Sequence, residues 1–300
     1  MRHNTVIQLS ENLQKKTATH PCFTPGAHDY ARLHLPVAPK CNIQCNYCSR
    51  RFSCVNESRP GVTSEVISPV EALRRFVEVQ NKVPNLTVVG ISGPGDPLAN
   101  IDEVLETIRL VRIADPEMTF CLSTNGLALP QYAEDLYAAG VTHFTVTMNA
   151  LDPLIGAKIY RYINGDGAIY TGTRGAGFLI ERQLAGLEAL RKLDVVCKVN
   201  IVAIKGINDT HIESVAERVK EYGVAATNIM PLIPVEGTPL AHNPGMDGKE
   251  LKALRDTCAR HVPQMYHCRQ CRADAVGMLN HDLSQHMFGE KTCCHRKEIG

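Results

Sequence analysis

Six times between residues 33 and 260 a short run rich in β-branched and aromatic residues is followed by a segment with apolar residues at helical spacing, and this alternation leaves few folds open. The runs are LHLPV (33 to 37), LTVVGIS (86 to 92), MTFCLST (118 to 124), THFTVTM (142 to 148), VVCKVNIVAI (195 to 204) and ATNIMPL (226 to 232). Helices are expected at 69–82, 101–113, 130–139, 177–193, 209–222 and 247–260. The first of these has its own start signal, because Ser68, Pro69 and Glu71 supply an N-cap, a proline for the first turn and a carboxylate able to close a capping box. Strand–helix repetition makes a parallel sheet with right-handed crossovers. Six such units predict an α/β fold, a partial or complete β/α barrel at 32–262, with extensions at 1–31 and 263–300 folding across the barrel mouth. The glycine-rich stretch at 163–177 reads as a mobile loop.

Twelve cysteines are unusual in a chain with no hydrophobic signal run and no stretch of eighteen apolar residues, features that place it in the cytoplasm. Thiols do not pair there, so metal binding is the better explanation. Lysine and arginine number 32 against 31 acidic residues. No broad positive field exists to attract nucleic acid or a membrane surface. Cys197 and Cys258 lie in apolar patterns and are expected in the core.

The densest group is CNIQCNYCSRRFSC, holding Cys41, Cys45, Cys48 and Cys54. A C-x-x-x-C-x-x-C loop offers three thiolates to a four-iron cluster and leaves the fourth iron open. Zinc is the alternative, although structural zinc sites close with four ligands. In β/α barrels, chemistry gathers where the strands end. Cys41, Cys45 and Cys48 follow the first strand, Ser92 and Gly93 end the second, Cys121 with Ser123 closes the third and Asn149 follows the fourth. All are expected on one rim.

The three-cysteine loop, with Tyr47 before its last cysteine, resembles the signature of radical S-adenosylmethionine (SAM) enzymes. SGPGDP at 92–97 is similar to their glycine-rich second-strand motif, and STNG follows at 123–126. The resemblance implies SAM bound near Tyr47, Ser92, Gly93, Gly95, Asp96, Ser123, Asn125 and Asn149. Asp96 stands where many relatives have glutamate. HPCF (20 to 23) and CRQCRADAVGMLNHD (268 to 282) narrow the likeness to the members that build the precursor of the nitrogenase cofactor.

That likeness implies three 4Fe-4S clusters, one for radical chemistry and two as substrates. The substrates would be fused with a SAM-derived carbide and an extra sulfur. Cys54 then serves a neighbouring cluster with His20 and Cys121, while Cys22, Cys268 and Cys271 hold the other. Glu57, Ser58 and Arg59 would act in catalysis, by proton relay or by donors to sulfide. The Cys268 and Cys271 pair also fits a zinc half-site with His267 or with Cys293 and Cys294, and His281 and His295 read as surface residues. The chain ends too soon for the carrier domain that many relatives append, so cluster donors and a separate carrier or scaffold protein are the expected partners. Another radical SAM enzyme with auxiliary clusters, or a passive iron–sulfur scaffold, remain alternatives.

Overall fold

The computed structural model describes residues 9–56 and 65–288. Helix α1 (Glu11–Ala18) precedes β1 (Ala31–Pro36), and the loop after β1 contains the short strand β2 (Ile43–Cys45). Helix α2 (Pro69–Lys82) starts where its capping signal lies: the Ser68 side chain accepts from the Glu71 backbone and the Glu71 carboxylate answers the Ser68 N–H. Then follow β3 (Leu86–Ser92), α3 (Ile101–Ala114), β4 (Thr119–Thr124), α4 (Leu129–Ala139), β5 (Val141–Thr147) and α5 (Pro153–Ile159). Strands β6 (Tyr160–Gly165) and β7 (Ala168–Tyr170) precede α6 (Gly172–Leu190), β8 (Val196–Ala203), α7 (Ile212–Lys220), β9 (Ala226–Pro231) and α8 (Gly248–Cys258). The described chain finishes with β10 (Val276–Met278), β11 (His281–Asp282) and α9 (Ser284–Phe288).

The main sheet has the order β11-β10-β1-β3-β4-β5-β8-β9. The pairs from β1 through β9 are parallel, whereas β10 and β11 add antiparallel at the β1 edge. With β9 and β11 as its edges, the sheet is an open, partial barrel.

Alternation along each strand separates two faces. Leu33, Leu35, Phe120, Leu122, Phe144, Val146, Cys197, Val199 and Ile201 join the apolar layer beneath the helices. Cys197 and Cys258 are both buried there, as expected. The opposite, concave face carries Arg32, His34, Cys121, His143, Lys198 and Asn200.

Two features depart from the sequence expectation. The stretch 163–177 is the end of β6, all of β7 and the first turns of α6, so that helix starts well before residue 177. β6 pairs with β2 and β7 in a second small sheet, where Gly167 (φ +75°) makes the tight turn. The N-terminal segment packs at the opening opposite the rim where the strands end, whereas the C-terminal segment reaches that rim, where Ser92 at the end of β3 donates to the Ala273 carbonyl. From α1, Ser10 N–H reaches Asp194, Thr17 Oγ1 meets His143 and Thr87 donates to Thr19, all at the starting ends of β8, β5 and β3. The C-terminal segment pairs with β9 at Gln264, crosses the concave face and joins β1 as β10. The reason is hydrogen bonding: both segments satisfy polar groups that the concave strand faces would otherwise bury alone.

Candidate iron–sulfur and SAM site

Between β1 and β2 the chain runs alongside the loop after β3, stitched by backbone hydrogen bonds from Gly95 to Ala38 (2.9 Å) and from Asp96 to Lys40 (2.8 Å). A Cβ on Gly93 would stand 2.3 Å from the Ala38 carbonyl oxygen, and one on Gly95 1.9 Å from that of Lys40. The glycines of SGPGDP therefore answer to the cysteine loop itself. Only a bare backbone lets the two loops touch.

Cys41, Cys45 and Cys48 line one cavity with Asp96 and Asn125. Burial is the largest cause raising all three thiols, Cys41 to about 12 with Asp96 adding to it. In the metal-free chain they are neutral, and iron would displace their protons. Asp96 is buried and its carboxylate accepts from Leu98 N (2.9 Å), Thr124 Oγ1 (3.0 Å) and Asn125 N (2.6 Å). Burial nonetheless pushes it up to about 6. Its side chain ties the ends of β3 and β4 together. Asn125 donates to Asn42 Oδ1 (2.6 Å) and its amide lies 3.9 Å from Cys41 Sγ.

Tyr47 is fully buried, donating to Asn56 Oδ1 and accepting from Asn149 Nδ2, each at 2.7 Å. Asn149 Oδ1 in turn accepts from Val202 N at 2.8 Å. Ser92 donates to the Ala273 carbonyl, and Ser123 Oγ is buried without a hydrogen-bond partner.

Cys54, expected to serve a neighbouring cluster, lines the same cavity as the first three cysteines, because the loop folds back to place Cys54 N–H at Gly93 O (3.4 Å). Cys121 is not at the rim. It sits mid-strand in β4, opposite Gly90 and His143, where its sulfur and the His34 ring flank Gly90. His20 is fully buried against Phe23 and His143, with ring centroids 4.7 Å away in each case. His20 and Cys121 thus share His143 and His34 as neighbours, whereas Cys54 lies in the cavity of the first three cysteines.

His20 Nδ1 accepts from Cys22 N–H at 3.1 Å, and its Nε2 is buried without a hydrogen-bond partner. Burial, then His143, holds the imidazole well below its ordinary pKa, so it is neutral. Ligation through Nε2 requires moving the ring proton to Nδ1 and releasing Cys22 N–H.

The second cysteine set lies along the segments that line the concave face. Cys22 is within electrostatic reach of Cys271 and Cys268, with Lys198 and Arg32 nearby, and burial drives its thiol to about 11. Arg32 Nη2 donates to Cys271 Sγ at 3.2 Å and Asn228 Nδ2 to Cys268 Sγ at 3.4 Å. Among the described residues no three His, Cys, Asp or Glu side chains converge on a single ion. A four-iron cube takes its ligands from separate corners and spreads them more widely. The thiol sets and the orphaned atoms His20 Nε2, Ser123 Oγ and Asn228 Oδ1 fit such a guest.

Sequence reasoning missed Arg32, His34, His143 and Lys198. Their signal was visible: a parallel strand buried on both faces reads as continuous apolar sequence, and RLHL and VCKVN break that rule. Glu57, Ser58, Arg59, Cys293, Cys294 and His295 lie outside the described residues. His281 is exposed in β11, as expected, and no helix among the described residues is long and apolar enough to cross a membrane.

The chain belongs to the radical SAM superfamily, whose family model matches residues 35–219. Membership implies a 4Fe-4S cluster and SAM. Within it, the chain is 48% identical over 281 residues to the FeMo cofactor biosynthesis protein NifB of Bradyrhizobium diazoefficiens, covering 92% of this chain and 56% of that protein. It is 46% identical to NifB of Azotobacter vinelandii, covering 93% and 57%. The chain thus spans little more than half of these curated relatives. Among solved structures, Streptococcus suis SuiB bound to S-adenosylmethionine shares the fold with a TM-score of 0.56 at 12% identity, over 79% of this chain and 51% of that one. A structure of anSMEcpe with bound AdoMet matches at 0.55 and 18% identity, over 79% and 61%.

Proposed function

We propose that this chain is a radical SAM maturase that fuses two 4Fe-4S clusters, inserting a SAM-derived carbon as carbide and an extra sulfur, to make the 8Fe-9S-C precursor (NifB-co) of the nitrogenase cofactor. The single observation that carries it is a second set of thiols beside the concave face, Cys271 at Arg32, Cys268 at Asn228 and Cys22 within electrostatic reach of both, in the same barrel whose loop cavity is lined by Cys41, Cys45 and Cys48. An enzyme needing only a SAM cluster has no use for a second set of thiols with cations beside them.

Cys41, Cys45 and Cys48 would hold a 4Fe-4S cluster, which when bound would supply the electron for reductive cleavage of SAM. The chain's own residues do the rest. Asn125, Pro94 and Gly95 line the cavity where the methionine end would lie, and Asp96 fixes that wall through Thr124 and Asn125. Tyr47, locked between Asn56 and Asn149, seals the floor behind Cys45 against water. Cys22, Cys268 and Cys271 hold one substrate cluster. His20, Cys54 and Cys121 are the candidates for the other, with Glu57, Ser58 and Arg59 assigned to proton and sulfide handling. Cluster donors and a carrier or scaffold protein of nitrogenase assembly complete the pathway.

The test is anaerobic reconstitution of the full chain. About twelve irons per chain and 5′-deoxyadenosine on reduction with SAM are expected. About four irons would sink the maturase reading, and absence of 5′-deoxyadenosine would leave a passive scaffold.

A further inference from the structure

Lys198 projects from β8 into the concave face and is 6% exposed. Its ammonium lies 3.7 Å from Met265 Sδ and 4.7 Å from the centroid of the Phe23 ring. Neither partner is an anion. A thioether is a weak acceptor and a ring quadrupole only partly replaces lost hydration. The neighbouring cations are treated differently: Arg32 is paired with Asp282 at 3.0 Å and Arg272 with Asp274 at 2.8 Å. Among the described residues Lys198 has no carboxylate within ion-pair distance. A buried charge without an opposite charge is costly, and folds retain one where something else supplies the balance.

The surroundings identify that partner. Phe23 adjoins Cys22, and Met265 lies just before Cys268 on the segment that crosses the concave face. His20, His143 and His267, which also feel the ammonium, are held neutral chiefly by burial. Of the three thiols assigned to that cluster, Cys22 lies within electrostatic reach of Lys198 and of Cys271 and Cys268; the other thiol within reach of the ammonium, Cys197, packs in the apolar layer on the opposite face of the sheet. Three thiolates outweigh the positive charge of an oxidised four-iron core, so a cluster seated there is an anion, and an added electron makes it more so.

We propose that Lys198 is the counter-cation of an iron–sulfur cluster held by Cys22, Cys268 and Cys271, and that it sets the reduction potential of that cluster without ligating it. The proposal rests on the cluster assignment made above. Lys198 is a positioning residue: it stabilises the more negative, reduced state and so raises the potential, while SAM cleavage at Cys41, Cys45 and Cys48 does not depend on it.

The experiment is a potentiometric titration of the reconstituted full chain followed by electron paramagnetic resonance, with the SAM-bound cluster recognised by its response to SAM. Cys271→Ser identifies the signal in question by removing it. Lys198→Met is expected to shift the midpoint of that signal to lower potential, with Lys198→Arg returning it towards the parent value and 5′-deoxyadenosine formation unchanged in both. Loss of that cluster in Lys198→Met, with the fold intact and the cluster restored in Lys198→Arg, also supports the counter-cation. A parental midpoint in Lys198→Met overturns it, as does equal loss in Lys198→Arg, which would make shape and not charge decisive. If Cys271→Ser removes no signal, the cluster assignment itself fails and the proposal falls with it.

Discussion

Gly95 and Lys40 touch through their backbones: a methyl group on Gly95 would sit 1.9 Å from the Lys40 carbonyl oxygen and 2.4 Å from its carbon. No side-chain rotation relieves a clash with backbone, so the two loops must part. Gly95→Ala is expected to cost at least about 2 kcal/mol and to lower iron bound at the three-cysteine site. Urea unfolding and iron per chain check both; parental values for each would mean the loops do not depend on this approach.

Tyr47→Phe tests the network beneath Cys45. The phenyl ring fits the same space, but Asn149 Nδ2 and Asn56 Oδ1 lose their shared partner in a buried site. A loss of about 1–3 kcal/mol is expected, read as a lower denaturant midpoint with an unchanged slope.

Acid sensitivity should be traceable to His143. Burial, then Lys16 and Lys198, pushes it down to about 3 from 6.5, and its ring is bonded to Thr17 and Thr142. The unfolded chain takes a proton near pH 6.5 that the folded chain refuses. The contribution is therefore complete above pH 6.5 and shrinks as pH falls towards 3, by up to about 1.4 kcal/mol per pH unit. Asp96, raised to about 6 from 3.8, works the other way as pH falls from about 6 to 3.8, because the folded chain then binds the proton first. The comparison is thus the metal-free parent against His143→Gln, whose stability should fall less steeply below pH 6.5. Equal slopes would remove His143 as the cause.

Cys197 and Cys271 make a matched pair. Cys197 packs among Val199 and Ile201 on the helix-facing side, so Cys197→Ala should cost about 1 kcal/mol and leave iron content unchanged. Cys271→Ala should lose about four irons per chain. Iron analysis on both settles which side of the sheet binds metal.

Much of the fold was legible in the sequence because its signals are local. Strand β3 and helix α2 fall where periodicity and the Ser68, Pro69 and Glu71 cap put them. The stretch 163–177 was not legible: glycine signals a turn equally well in a loop or a hairpin, and only pairing with β2 makes β6 a strand. The three-cysteine loop could be recognised by spacing, but not the reason for the glycines of SGPGDP, which lies in their contact with Ala38 and Lys40, 55 residues earlier in the chain.

By itself the sequence determined the parallel barrel, the thiol-rich loop and the kind of chemistry they serve, because hydrophobic period and ligand spacing are properties of neighbouring residues. Only the tertiary structure decided that Lys198 is buried against Phe23 and Met265, that Cys54 turns back towards the first three cysteines and that Cys121 lies mid-strand. Those relations join residues that no local pattern links, and they are fixed by which strands pair and by which polar groups of the concave face the covering segments must satisfy.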